Sequence, residues 1–180
     1  MIYTLCGSQG VGKTTIYCQL QNFKMDFVGS ASRKAYNLGM AVNQESTENS
    51  QLYIFNKMLV NLIEYIYLKR AVLFERSLLD SYAYTTYAYS NLDLQFKIYK
   101  YISDITDRYI SYYDHIFYIP IEFELKEQKG RSMDVKYQCS IDNIIRDYLK
   151  NHARPDKWSV IKGDVATRLE QVRKTIGVLA

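Results

Sequence analysis

At 180 residues, 48% of them hydrophobic and 23% charged, the chain is long enough to bury a sizeable core and reads as one globular domain over 1–180 rather than a disordered segment. Its net charge of +4 suits anionic ligands but is too mild to argue for nucleic-acid binding, and no uninterrupted apolar run is long enough to span a membrane. Cys6, Cys18 and Cys139 show no C-x-x-C spacing, which argues against a zinc site and for free thiols in a cytoplasmic protein, with no signal peptide expected ahead of residue 7.

The chain opens on Met1-Ile2-Tyr3-Thr4-Leu5-Cys6, an apolar, β-prone run that predicts a strand over 1–6. Gly7-Ser8-Gln9-Gly10-Val11-Gly12-Lys13-Thr14 then fits G-x-x-x-x-G-K-[ST], and a Gly- and Pro-free stretch predicts a helix over 13–23. Strand, glycine loop and helix in that order are the context in which the pattern becomes a phosphate-binding loop. Its amides cradle phosphate oxygens at the positive end of the helix. The whole run from Gly7 to Thr15 is expected to touch the nucleotide, with Lys13 exposed to ligand rather than packed in the core and the Thr14 hydroxyl on Mg²⁺.

Further strands are expected over 25–30, 71–75, 114–119 and 158–162, and further helices over 51–69, 78–90, 94–111, 138–151 and 164–176. Strands alternating with helices predict an α/β, three-layer fold. A central parallel five-stranded sheet would carry helices on both faces. Ligands of such a sheet lie beyond the carboxyl ends of the strands. The residues expected there are the phosphate loop, Ser30 and Arg33 after the second strand, Glu75, Arg76 and Asp80 after the third, and Gly163 and Asp164 after the fifth.

A carboxylate and a guanidinium directly after a buried strand are costly unless used or paired. Glu75 could hold the Mg²⁺ water shell or accept a proton, and Arg76 could bind an acceptor or a moving phosphoryl group. The alternative is that the two only cap the next helix and close a surface ion pair; beside a phosphate loop the functional reading is favoured. The stretch Lys126 to Asp134 is polar and basic. It reads either as a lid that closes Arg131, backed by Lys126 and Lys129, over a triphosphate, or as a solvated loop. His115 at a strand start reads as structural. The 18 tyrosines read as core and interface aromatics before they read as a stacking surface for bases. The apolar segment from Leu52 to Leu68 fits either the core or a homodimer face.

With these residues in hand, the chain resembles small P-loop nucleoside and nucleotide kinases. It is most similar to the compact group of ribosylnicotinamide kinase domains, thymidylate kinases and phage-encoded kinases. The resemblance rests on the loop at 7–14, on Glu75-Arg76-Ser77-Leu78-Leu79-Asp80-Ser81-Tyr82-Ala83-Tyr84, on Lys129-Gly130-Arg131-Ser132-Met133-Asp134 with Tyr137-Gln138 and Ile141-Asp142, and on Gly163-Asp164 followed by Arg168. It implies ATP with Mg²⁺ as cofactor, a lid over about 124–137, and Lys13, Glu75, Arg76 and Arg131 as catalytic residues. Gly163 and Asp164 would lie near the adenine, with Ser30, Arg33, Arg76 and Asp80 near the acceptor and Thr14 and Glu75 at the metal.

Where the group carries Glu-x-x-Arg after its second strand, this chain has Ser30-Ala31-Ser32-Arg33. That leaves Asp26, Glu75 and Asp80 as general-base candidates. A monophosphate acceptor needs no such base, so the resemblance favours a deoxynucleoside monophosphate. Two rivals stand beside it. One is a phage-type kinase acting on 5-hydroxymethyluracil in DNA, in the host cytoplasm; the other is a nucleotide-dependent switch without an acceptor.

Overall fold

The apolar runs that stand out in the sequence become the parallel strands of one sheet. The computed structural model describes residues 1–91, 95–127 and 132–179. Strands β1 (Ile2–Cys6), β2 (Asp26–Val28), β3 (Val72–Phe74), β4 (His115–Tyr118) and β5 (Trp158–Val160) are arranged in the order β2-β3-β1-β4-β5. All neighbours pair in parallel, with Tyr3 beside both Leu73 and His115.

Alternation along β1 splits the core in two. Ile2 and Cys6 join Val72, Phe74, Ile116 and Tyr118 on one face, under α3 (Glu48–Leu68), α4 (Leu78–Asn91), α5 (Phe96–Tyr109) and α6 (Val135–His152). Tyr3 and Leu5 join Leu73 and Phe117 on the other, under α1 (Lys13–Gln19) and α7 (Val165–Leu179). A strand covered on both faces has no polar side to show, which is why these strands read as continuous apolar runs. Each large side chain buried this way contributes roughly 2 kcal/mol.

The five expected strands and six expected helices are present, with ends set by local capping. The helix expected from 51 starts at Glu48, because Thr47 accepts from the Ser50 amide at 3.3 Å and the Ser50 hydroxyl answers the Thr47 amide at 2.9 Å. The helix expected from 138 starts at Val135, because the Asp134 carboxylate accepts from the Tyr137 amide at 3.1 Å. One helix, α2 (Ala31–Asn37), has no counterpart in the expected elements; it is a single short segment that buries only Ala31 and Ala35. The tyrosines largely pack on one another and on the core, as in the stacked pair Tyr89–Tyr99 and the Tyr82–Tyr148 contact. Among the described residues, no helix is long and apolar enough to cross a membrane.

Candidate active site

Parallel strands that all point one way deliver their following loops to one edge, and β1, β2 and β3 deliver the chemistry. After β1 the chain turns through Gly7 at φ +152, where a Cβ would stand 2.5 Å from the Ile119 carbonyl oxygen after β4. Gly10 sits at φ +79, directly beneath Leu125. Both positions demand glycine: one for close backbone approach, the other for left-handed backbone.

The loop is braced from behind. Gln9 accepts from the Tyr84 hydroxyl at 2.8 Å through its side chain and from Gln138 Nε2 at 2.7 Å through its carbonyl. Tyr84 belongs to α4 and Gln138 to α6, so two helices hold the same loop residue.

Lys13 is buried, at 5% exposure, rather than standing exposed to ligand as the sequence reading expects. Its ammonium donates to the carbonyls of Gly7 and Ser8 and lies 3.7 Å from Asp80 Oδ1. These partners, one of them 67 positions away, explain why a lysine can be covered here.

Glu75, at the end of β3, is the hub of the exposed side of the loop. Its Oε1 accepts from the Thr14 hydroxyl at 2.6 Å and from Arg33 at 3.1 Å, and its Oε2 accepts from the Ser30 amide at 3.0 Å. Arg33 also donates to the Thr14 hydroxyl at 3.3 Å. Four residues named from sequence thus meet within hydrogen-bonding distance. Charge and burial act on their neighbour Tyr17, whose hydroxyl is pushed up to about 12, chiefly by burial and then by Glu75.

Arg76 and Asp80 face a cavity between α2, α3 and α4, shared with Ser32, Asn43, Gln51 and Tyr84. Burial works against the Arg76 charge, but Tyr84, Asp80 and Glu75 outweigh it and raise its pKa. Both oxygens of Asp80 are engaged, Oδ1 by the Gly7 amide at 3.2 Å and Oδ2 by the Ser77 amide and hydroxyl at 2.9 and 2.7 Å. Asp26 is at the far end of β2, tied to Arg70 at 2.5 Å, and does not join the site.

A second and wider cleft, about 480 Å³, opens on the other side of the loop, where Gly10, Gly12, Thr14 and Thr15 face Phe123 and Lys126. Arg168 forms part of its wall. The guanidinium donates to the Val11 carbonyl at 2.6 Å and to Glu122 at 2.7 Å, and lies 4.9 Å from the Phe123 ring. Burial opposes ionisation of Glu122, but hydrogen bonds from Arg168 and the Gly163 amide overcome it and hold its carboxyl below the usual range. Gly163 is therefore spent on Glu122, and Asp164 on capping α7 through the Thr167 amide at 2.8 Å. Lys129 and Arg131 lie outside the described residues. Gln51, Asn43, Glu122 and Phe123 were not singled out from sequence; each sits in an unremarkable local pattern and gains meaning only from packing across the fold.

A family model described as an AAA domain matches residues 2–168. The chain belongs to that AAA-domain family. No curated protein matches it by sequence. Solved structures do share its fold. A deoxyadenosine kinase from M. mycoides with dCMP and a flexible dCDP bound superposes with a TM-score of 0.71 at 15% identity over the whole of both chains. A NadR protein in complex with NR gives 0.71 at 15% identity, over 98% of this chain and 50% of that one. A thymidylate kinase from Ehrlichia chaffeensis gives 0.65 at 16% identity, over 98% of each. The fold of this AAA-domain protein is thus the P-loop fold of nucleoside and nucleotide kinases.

Proposed function

We propose that the protein is a P-loop kinase, one domain over 1–180, that moves the γ-phosphoryl group of ATP to a nucleoside or nucleotide, with a deoxynucleoside monophosphate as the favoured acceptor. The observation that carries this reading is the pair of hollows on either side of the loop. The cleft of Thr15, Phe123 and Arg168 suits a donor nucleotide; the cavity of Arg76, Gln51 and Tyr84, about 50 Å³, offers the cationic and polar lining an acceptor needs and must widen to admit one; and Lys13, Thr14 and Glu75 stand between them. A nucleotide switch would need only the first hollow.

Thr14 and Glu75 offer hard oxygen donors 2.6 Å apart, which fits Mg²⁺ held by one hydroxyl directly and one carboxylate through water. When bound, the ion neutralises charge on the donor phosphates. The loop amides and Lys13 position the triphosphate, and Arg76 neutralises charge on the moving group. Ser30, Arg33 and Asp80 border the acceptor. The segment over about 124–137 acts as the lid, with Lys126 at the donor rim and Arg131 closing over the phosphates.

A nucleoside hydroxyl would need a base, and the carboxylates at hand are held by other partners, Asp80 by the Gly7 and Ser77 amides at 1% exposure and Glu75 by Thr14, Arg33 and the Ser30 amide. A phosphate acceptor brings its own nucleophilic oxygen, and Arg33 and Arg76 suit its charge. The test is incubation with ATP labelled at the γ-position against nucleosides, deoxynucleoside monophosphates and DNA containing 5-hydroxymethyluracil. Label should enter a monophosphate. Label in DNA alone, or release of inorganic phosphate alone, would refute the assignment.

A further inference from the structure

Asp80 carries more partners than a substrate-facing carboxylate has use for. It is 1% exposed, it anchors the first amide of the phosphate loop and the start of α4, and its Oδ1 stands 3.7 Å from Lys13 and 3.6 Å from Arg76. These are the two cations assigned above to the phosphates, one on the donor side and one lining the acceptor cavity. One buried anion therefore sits between both.

An ammonium has three donors. Lys13 donates to two loop carbonyls and stands 3.7 Å from Asp80, so a phosphate oxygen that takes hold of the ammonium competes with these contacts. We propose that Asp80 is a positioning residue: it holds Lys13 and Arg76 toward itself, and phosphate binding must compete with it for both. The inference rests on the kinase reading. It adds that the two cations share one counter-ion supplied by the protein itself. The same carboxylate ties the two sides together, because a phosphate that draws Arg76 away leaves Asp80 to Lys13, and the reverse.

The sign of the effect separates this role from that of a plain structural clamp. Asp80→Asn removes the charge and leaves one acceptor oxygen, which can serve the Gly7 amide or Ser77 but not both. Buried Lys13 and partly buried Arg76 are then left short of an anion, and an added phosphate chain restores it. Tripolyphosphate, titrated by calorimetry, should bind Asp80→Asn about fivefold or more tightly than the wild type. The gain should vanish when Lys13→Met and Arg76→Met are added. A clamp alone predicts weaker binding, because the loop loses an anchor. Equal or weaker binding by a folded Asp80→Asn overturns the proposal.

Should that variant fail to fold, the wild type answers by NMR of the lysine ammonium groups. Lys13 should give a protected signal in the free protein that moves on addition of tripolyphosphate, and a Lys13 signal that exchanges freely with water before addition refutes the proposed hold. Wild type that binds no tripolyphosphate would instead remove the donor site itself, and with it the kinase reading.

Discussion

Replacing Glu75 by glutamine separates what that side chain does for the fold from what it does for chemistry. The amide is nearly the same shape, and the carboxylate it replaces is 3% exposed. Glutamine has one acceptor oxygen where glutamate has two, so it can serve Thr14 and Arg33 or the Ser30 amide, but not both sets. The lost pair with half-exposed Arg33 costs about 0.5 kcal/mol, since such pairs are screened. The lost hydrogen bond to the Ser30 amide costs about 1.5 kcal/mol. Together these give about 2 kcal/mol, which for a chain of this length lowers the melting temperature by about 6 °C. Turnover should fall far more, on the order of a hundredfold or more, because the carboxylate proposed to hold the Mg²⁺ water shell beside the donor phosphates is lost. Thermal denaturation and steady-state rates with ATP and saturating Mg²⁺ measure the two effects on one preparation. A melting temperature lowered as stated, with turnover within about threefold of wild type, would show that Glu75 only braces α2 and would refute the metal role.

Gly10→Ala forces a side chain onto backbone at φ +79, with its Cβ 2.5 Å from Leu125. The leucine tip can yield but the backbone cannot, so the variant should lose about 1 kcal/mol and bind ADP at least roughly tenfold more weakly, and unchanged ADP affinity would refute the cradle. Arg131→Ala should lower turnover while leaving the Michaelis constant for ATP near wild type, as expected of a group that acts in the transition state; an effect on that constant alone would place Arg131 in ground-state binding. His115 is buried against Ser159, and burial, then the Lys157 charge, holds its imidazole below the ordinary 6.5. The unfolded chain therefore takes up this proton at higher pH than the folded one. The contribution of His115 to stability is complete above 6.5 and is lost as pH falls through the lower folded value. Melting temperatures measured from neutral pH into the acid range should fall less steeply for His115→Asn; equal slopes would refute the assignment.

The sheet was legible because each strand is an apolar run bounded by polar or glycine residues, and the loop because its glycines and Lys13-Thr14 lie together in sequence. The Glu75-Arg76 pair was legible for a related reason: charge directly after a buried strand is conspicuous. What stayed hidden was set by distant partners. Lys13 is covered because Asp80 comes round from α4, and no local pattern announces that contact. Helix α2 is too short for a period to emerge and buries only two alanines. Gln51 becomes a cavity wall only when α3 packs across α4, where it accepts from the Thr85 hydroxyl at 3.1 Å.

The bracing of Gln9 shows how such distant contacts can serve catalysis. Phosphoryl transfer requires donor and acceptor to be held in line, so the loop that binds one must keep a fixed distance from the wall that binds the other. In this chain the turn between β3 and α4 supplies Arg76, and α4 supplies Tyr84, to the proposed acceptor cavity, and α4 fixes the loop twice, through Tyr84 on the Gln9 side chain and Asp80 on the Gly7 amide. From the other side α6, which follows the proposed lid, fixes the same loop through Gln138 on the Gln9 carbonyl. A shift of either helix therefore moves the loop, and a shift of α4 moves the Tyr84 wall of the cavity with it. Glycine gives the loop its shape, and these three contacts give it a position relative to both substrates.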